Sequence, residues 1–555
     1  MSPPRVAVIG GGLAGITAAI ALAEAGAAVT LLEARPRLGG ATCSFTRDGL
    51  TVDTGQHVFL GCCTAYRGLL AQLGVTAHAP LQDRFDVTVL APGADPKTPR
   101  RQRLRRTALP GPLHMLPALA RYRYLSLAER AVVSRPALAM RRTDPADPAV
   151  DEQRFGDWLA ARGQTGRARR ALWDLFTVSA LNIAGDDASL ALAAIVVKTG
   201  LLGRNAAADI GVPALPLGEL HGDAAAALLA KLGAQVLTNA KVSAIEPANS
   251  AAPGAANSAA PGAADIPLAD PAANSADCSL AGPGSGDPSR PRFLIRLARP
   301  EGPGDLGADA VVLAVPHEAA ARLIPPGALP DATVAGWAGL GASPIVNVHV
   351  IYDRPVTDLA FAAAIDSPVQ WVFDRTRISG LAADGARGAE GTARRPQYLA
   401  ISLSAADEYV DVPAAELRER FVPALAELFP AARDARVTEF FVTRERRATF
   451  RQVPGTGKLR PQAATQLPGL VLAGAWTATG WPDTMEGAVR SGLAAADELR
   501  RTVLSALGSS ALGPSALESS ALESSALGPS RAGYSGFVVS GSGEIAPAST
   551  IGVRQ

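Results

Sequence analysis

The sequence predicts an α/β fold in which a parallel-sheet nucleotide domain, discontinuous along the chain, is joined to a second, α+β domain. Two observations carry that expectation. An apolar run, a glycine-rich turn, a helix-period segment and a second apolar run follow one another within residues 6–32. Short apolar runs return far downstream, at Ala310–Val315 and at 470–473, with long stretches lacking any nucleotide motif between them.

The elements follow in order. Val6, Ala7, Val8 and Ile9 form a strand buried on both faces. Gly10, Gly12 and Gly15 spell G-x-G-x-x-G. The first allows the turn, the second lets backbone approach a pyrophosphate, and the third lets helix and strand pack closely. Leu13, Ile16 and Ile20 fall at helical spacing, and Gly26 ends the helix. Phosphates are expected at this helix's N-terminus, at Leu13 and Ala14, where free N–H groups and the dipole favour anions. Ala28–Leu32 is the second strand. Glu33, 23 residues after Gly10, stands at its end, where a carboxylate accepts hydrogen bonds from a ribose diol. This is a Rossmann-like dinucleotide site. Arg5 before an apolar run suggests a secretory signal, but three glycines and Glu24 break that pattern.

The continuation E-A-R-P-R-L-G-G, Glu33–Gly40, resembles the flavin amine oxidase and carotenoid desaturase superfamily. The resemblance implies FAD, with Ala34, Arg35, Arg37, Gly39 and Gly40 near its diphosphate. Ala41 departs from the pattern, since many relatives carry Arg there. Next, Asp53–His57 is a glycine-centred turn after a short strand. The run D-T-G-Q-H-V-F-L-G-C-C-T-A-Y closely resembles the hydroxysqualene dehydroxylases, squalene-associated FAD-dependent enzymes of bacterial hopanoid pathways. Residues 171–192, with Trp173, Leu181, Asn182, Ala188 and Ser189, share that likeness; they are a substrate-cavity wall or plain core packing. The likeness also places the backbone of Val242 at the adenine side of FAD. It puts Gly474, Met485 and Glu486 at a helix N-terminus beside the flavin pyrimidine. Ala475 replaces an acid usual after the strand glycine, which removes one contact.

The expected domains are an FAD-binding domain from 1–75, 206–248, 289–319 and 465–502, and a substrate domain from 76–205 and 320–464. In the latter, strands are expected at 345–352, 370–373, 398–403 and 437–442, with a helix at 414–428. Residues 249–288, containing A-N-S-A-A-P-G-A twice, are expected to be a disordered insertion within a hairpin, and 503–555 a disordered tail.

Bulk properties narrow the function. With 53 basic and 51 acidic residues there is no pull toward nucleic acid. Cys43, Cys62, Cys63 and Cys278 have no disulfide or metal spacing, which suits a reducing, cytoplasmic setting with no metal site. Arg100, Arg101, Arg103, Arg105 and Arg106, followed by Leu113, Leu116 and Leu119, suit either peripheral contact with the inner membrane face or a solvated loop beside a core helix.

The resemblance, covering most of residues 5–501, implies reductive removal of the hydroxyl of hydroxysqualene to leave squalene. Hydroxide leaves poorly, so an acid must protonate it. Asp53, His57 and Glu486 are the titratable candidates near the flavin. No second nucleotide motif reveals where an electron donor docks. The alternatives are a phytoene-desaturase-like or amine-oxidase-like flavoenzyme, and a non-catalytic prenyl-lipid carrier, which Ala41 and Ala475 would suit.

Overall fold

The computed structural model describes residues 2–95, 97–111, 113–248, 291–300, 302–381 and 395–504. Five short apolar segments, far apart in sequence, meet in one parallel sheet. Its order is Leu470–Leu472, Ala310–Leu313, Arg5–Ile9 (β1), Ala28–Leu32 (β2), Gln235–Leu237. Every residue of Ala310–Leu313 is buried, as a strand covered on both faces requires. The helix Leu13–Glu24 (α1) links β1 to β2 and packs Ile16 and Ile20 onto the sheet, together with Leu229, Val312 and Val489. Each such side chain contributes about 1.5–3 kcal/mol by leaving water.

A three-stranded antiparallel sheet, Lys241–Pro247, Phe293–Arg299 and Gly302–Ala308, adjoins it. The third strand, rich in glycine and with Pro303, has weak β propensity; it forms because the preceding strand supplies a full ladder of partners. The first strand begins at Lys241, two residues after Asn239, which takes a left-handed turn at φ 53°. The inserted stretch 249–288 lies outside the described residues.

The second domain is built on a seven-stranded sheet. Its order is Val437–Thr449, Ser343–Tyr352, Gln397–Leu403, Trp371–Asp374, Phe361–Ala364, Asp86–Ala91, Arg100–Arg105. Helix Ala414–Leu428 covers one face with Leu417, Phe421, Leu425 and Leu428, spaced at three and four residues. Three strands were not expected: Asp86–Ala91, Phe361–Ala364 and the basic Arg100–Arg105. The last is an edge strand with only Leu104 buried, and its charges find carboxylates: Arg103 and Arg105 pair with Asp86, and Arg100 with Asp366. Just beyond it, Arg106 pairs with Asp209. Of the two readings of this basic run, the solvated loop gives way to a charge-paired strand. The strand expected at 437–442 runs on to Thr449, following Ser343–Tyr352 through two irregularities of register.

The tail was expected from residue 503, but helical structure continues through Leu504, and Val503 is buried against the nucleotide domain. The remaining tail residues lie outside the described residues. The described residues all fall within one compact unit, 1–508.

Candidate functional site

At the end of β1 the chain turns sharply into α1. A Cβ on Gly15 would lie 1.8 Å from the Gly10 carbonyl oxygen, so only glycine allows this approach. A Cβ on Gly12 would meet nothing nearer than Gly40 Cα at 3.9 Å; it would stand in open space before the helix. Gly12 is the N-cap, and no side chain caps the helix. The first-turn N–H groups of Leu13 and Ala14 therefore face that space without intrahelical partners, as a phosphate requires. Gly39 closes the other side, its N–H donating to the Gly11 carbonyl at 2.8 Å.

Glu33 is buried at the end of β2. Its Oε2 accepts the Gly11 N–H at 2.7 Å and its Oε1 the Arg35 N–H at 2.8 Å. A carboxylate has about four acceptor sites, so capacity remains for a ribose diol. Ala34, Arg35 and Arg37 lie on the exposed segment that follows. Val242 is buried opposite Leu297 in the antiparallel hairpin.

A cavity of about 420 Å³ begins at Gly12, Leu13 and Ala14 and reaches the antiparallel sheet. Gly474, Ala475 and Met485 also line it, as do Trp371, Phe373 and Phe450. Thr484 caps the helix Met485–Leu499, its hydroxyl accepting the Gly487 N–H at 3.2 Å. Ala41 and Ala475, the two departures, both face this cavity. Of the 171–192 segment, Asn182 reaches the cavity wall, whereas Trp173 packs in the core and donates to Gln164 at 3.1 Å. The cradle, the Glu33 carboxylate and the long cavity fit a dinucleotide with a bulky ring. One buried polar atom on the cavity-lining turn, Gln56 Oε1, has no partner among the described residues, which agrees with a site built for a polar ligand.

The three expected proton donors separate. Asp53 does not line the cavity. It accepts from Ser44 Oγ at 2.6 Å and Leu217 N–H at 3.0 Å, and pairs with Arg375 in the interior. Glu486 is 1% exposed and turned away from the cavity. Its oxygens accept the N–H groups of Ala65 and Tyr66, at 3.2 and 2.8 Å, and Arg490 Nε at 2.7 Å. These carboxylates are consumed by structural donors, which corrects the expectation that they serve the chemistry. His57 does line the cavity, but burial lowers its pKa, so it is neutral near pH 7 and a poor proton source.

Reasoning from the sequence missed the other titratable cavity residues: His317, Glu318, Glu445, Arg447 and Asp483. Glu318 pairs with Arg447 at 3.2 Å and lies 3.5 Å from His317. Asp483 had a signal, being an acid two residues before the helix expected at the flavin. Of the other four, His317 and Glu318 open the helix His317–Leu323 and Glu445 and Arg447 lie within the strand Val437–Thr449, and nothing local in the sequence marks them.

A profile of the family described as flavin containing amine oxidoreductase matches residues 13–259 and 300–500. The chain is 28% identical over 502 residues to hydroxysqualene dehydroxylase of Rhodopseudomonas palustris, covering 89% of this chain and 97% of that protein. It is 25% identical over 518 residues to the chloroplastic/chromoplastic zeta-carotene desaturase of Zea mays, covering 88% and 82%. Among solved structures, an oxidoreductase from Methanosarcina mazei shares the fold, with a TM-score of 0.60 at 17% identity over 88% of this chain and 99% of that one.

Proposed function

As the chain belongs to the flavin containing amine oxidoreductases, we propose that it reductively removes the hydroxyl of hydroxysqualene to give squalene. It is an FAD-dependent oxidoreductase; in this reading Gly12, Leu13, Ala14 and Gly40 hold the diphosphate, Glu33 the ribose and Met485 the ring end, supported by the cavity that Gly12, Leu13, Ala14 and Met485 line and by the buried Glu33 carboxylate. FAD, bound and reduced, supplies a hydride. The protein's own tasks are to seat an oily chain, exclude water and bring a proton to the hydroxyl oxygen. The observation that carries this reading is a single cavity lined both by the glycine turn at Gly12, Leu13 and Ala14 and by the aromatic side chains of Trp371, Phe373 and Phe450. Likeness along nearly the whole length of the Rhodopseudomonas enzyme supports the substrate.

The likeness to zeta-carotene desaturase favours a second reading, desaturation of a polyene. That chemistry removes hydrogen and needs no proton delivered to a hydroxyl. Incubation of the purified protein with reduced FAD and hydroxysqualene, and separately with oxidised FAD and phytoene, distinguishes them by mass spectrometry. Squalene from the first supports our reading; a desaturated product from the second, with no squalene, overturns it.

The substrate is insoluble in water, so it must be taken from a lipid phase. No helix among the described residues is long and apolar enough to cross a membrane. Among the described residues the exposed large apolar side chains are Leu109, Leu113, Leu116, Leu127 and Leu138, all within one stretch of the second domain. Exposed Arg121, Arg123, Arg135, Arg141 and Arg142 accompany them. We infer peripheral docking on an anionic bilayer through this stretch.

A further inference from the structure

Asp483 lies in the cavity wall beside Thr484 and Met485. Its Oδ2 accepts the Phe450 N–H at 2.8 Å, and its own N–H donates to Gln452 Oε1 at 3.1 Å. Gln452 is buried and donates in turn to the Leu181 carbonyl at 2.6 Å. The carboxyl is thus held by a frame of hydrogen bonds that ends on the buried Gln452. No hydrogen bond engages Oδ1, and Asp483 forms no ion pair, among the described residues. The cation behind it, Arg460, is spent on backbone carbonyls: Ala475 at 2.9 Å, Thr477 at 2.6 Å and Trp481 at 2.8 Å. The cavity's other charged groups are Glu318 and Arg447, which pair with each other, and Glu445, alongside the imidazoles of His57 and His317. Burial pushes Asp483 up to about 6, against the pull of the Phe450 N–H and Arg460. A bound apolar chain dries the site and raises it further.

We propose that Asp483 is the acid that protonates the departing hydroxyl oxygen, an inference that rests on the dehydroxylation reading above. The step balances. The Asp483 proton passes to the oxygen, the allylic C–O bond breaks and water leaves. The carbon would gain the hydride that bound, reduced FAD supplies, leaving the flavin oxidised, and the carboxylate regains its proton from solvent.

The test compares FAD-loaded parent and Asp483→Asn proteins on hydroxysqualene and on its acetate ester, whose leaving group needs no proton. We expect flavin absorbance and melting temperature of the variant to match the parent. Its rate on the alcohol should fall about 100-fold or more, while its rate on the ester stays within about fivefold. Infrared difference spectra should show a protonated-carboxyl band titrating near or above pH 6 in the parent and missing in Asp483→Asn. A variant at full rate on the alcohol, an equal loss on both substrates, or an unchanged infrared band each overturns the assignment. A parent inactive on the alcohol overturns the functional reading, and this inference with it.

Discussion

The buried carboxylate of Glu486 accepts the Tyr66 N–H at 2.8 Å, so the last helix supplies the N-terminal cap of the helix Thr64–Gln72, 420 residues away in sequence. Glu486→Ala leaves the Ala65 and Tyr66 donors buried without partners. A loss of about 2–3 kcal/mol in urea unfolding is expected. Glu486→Gln, which still accepts one bond, should lose less. Neither should abolish the flavin spectrum of the folded protein.

Gly12 and Gly15 should fail differently. Gly12→Val projects into open space, so the melting temperature without flavin should stay within a few degrees of the parent while FAD affinity falls about 100-fold or more. Gly15→Val drives its side chain into the Gly10 carbonyl and should prevent folding. Glu33→Ala should weaken FAD about tenfold to 100-fold, read by titrating flavin fluorescence.

Two interior histidines make the fold acid-sensitive. Burial lowers His221 to about 4, with its Nε2 2.8 Å from Tyr66 OH, and His349 to about 3, with its Nδ1 2.8 Å from Tyr398 OH. The unfolded chain protonates each near 6.5, before the folded one does. Their stability is therefore complete above about pH 6.5 and falls as pH drops toward the folded values, by up to about 1.4 kcal/mol per pH unit for each. Urea midpoints from pH 7 to pH 4.5 should show this slope, and His349→Gln should flatten it.

The membrane reading has its own check. Leu127→Gln combined with Leu138→Gln removes the two most exposed large apolar side chains among the described residues, 78% and 62% accessible. Co-sedimentation with anionic vesicles should fall several-fold while the melting temperature holds. Binding to neutral vesicles should be weak for both proteins if the arginines contribute.

Much of the nucleotide half was legible because its signals are local. A turn that must reverse within a few residues shows its glycines in order, and a buried parallel strand shows as an unbroken apolar run. The second domain was less legible. Arg100–Arg105 carries no apolar alternation, and it is a strand only because Asp86–Ala91 offers it an edge and Asp86 and Asp366 its counter-charges. Phe361–Ala364 is too short and too small in side chains to signal itself.

By itself, then, the amino-acid order determined the βαβ unit, its glycine turn and the acid at the end of its second strand, all set by neighbours within about thirty residues. Only the tertiary structure decided which of these acids lines the cavity. Asp53, Glu486 and Asp483 are alike as residue types. Whether a carboxylate is consumed by Arg375, by the Tyr66 N–H, or left with a free oxygen beside the cavity depends on donors brought in from remote segments. Burial and pairing, which set a carboxyl's proton affinity, are properties of the folded surroundings and not of the side chain.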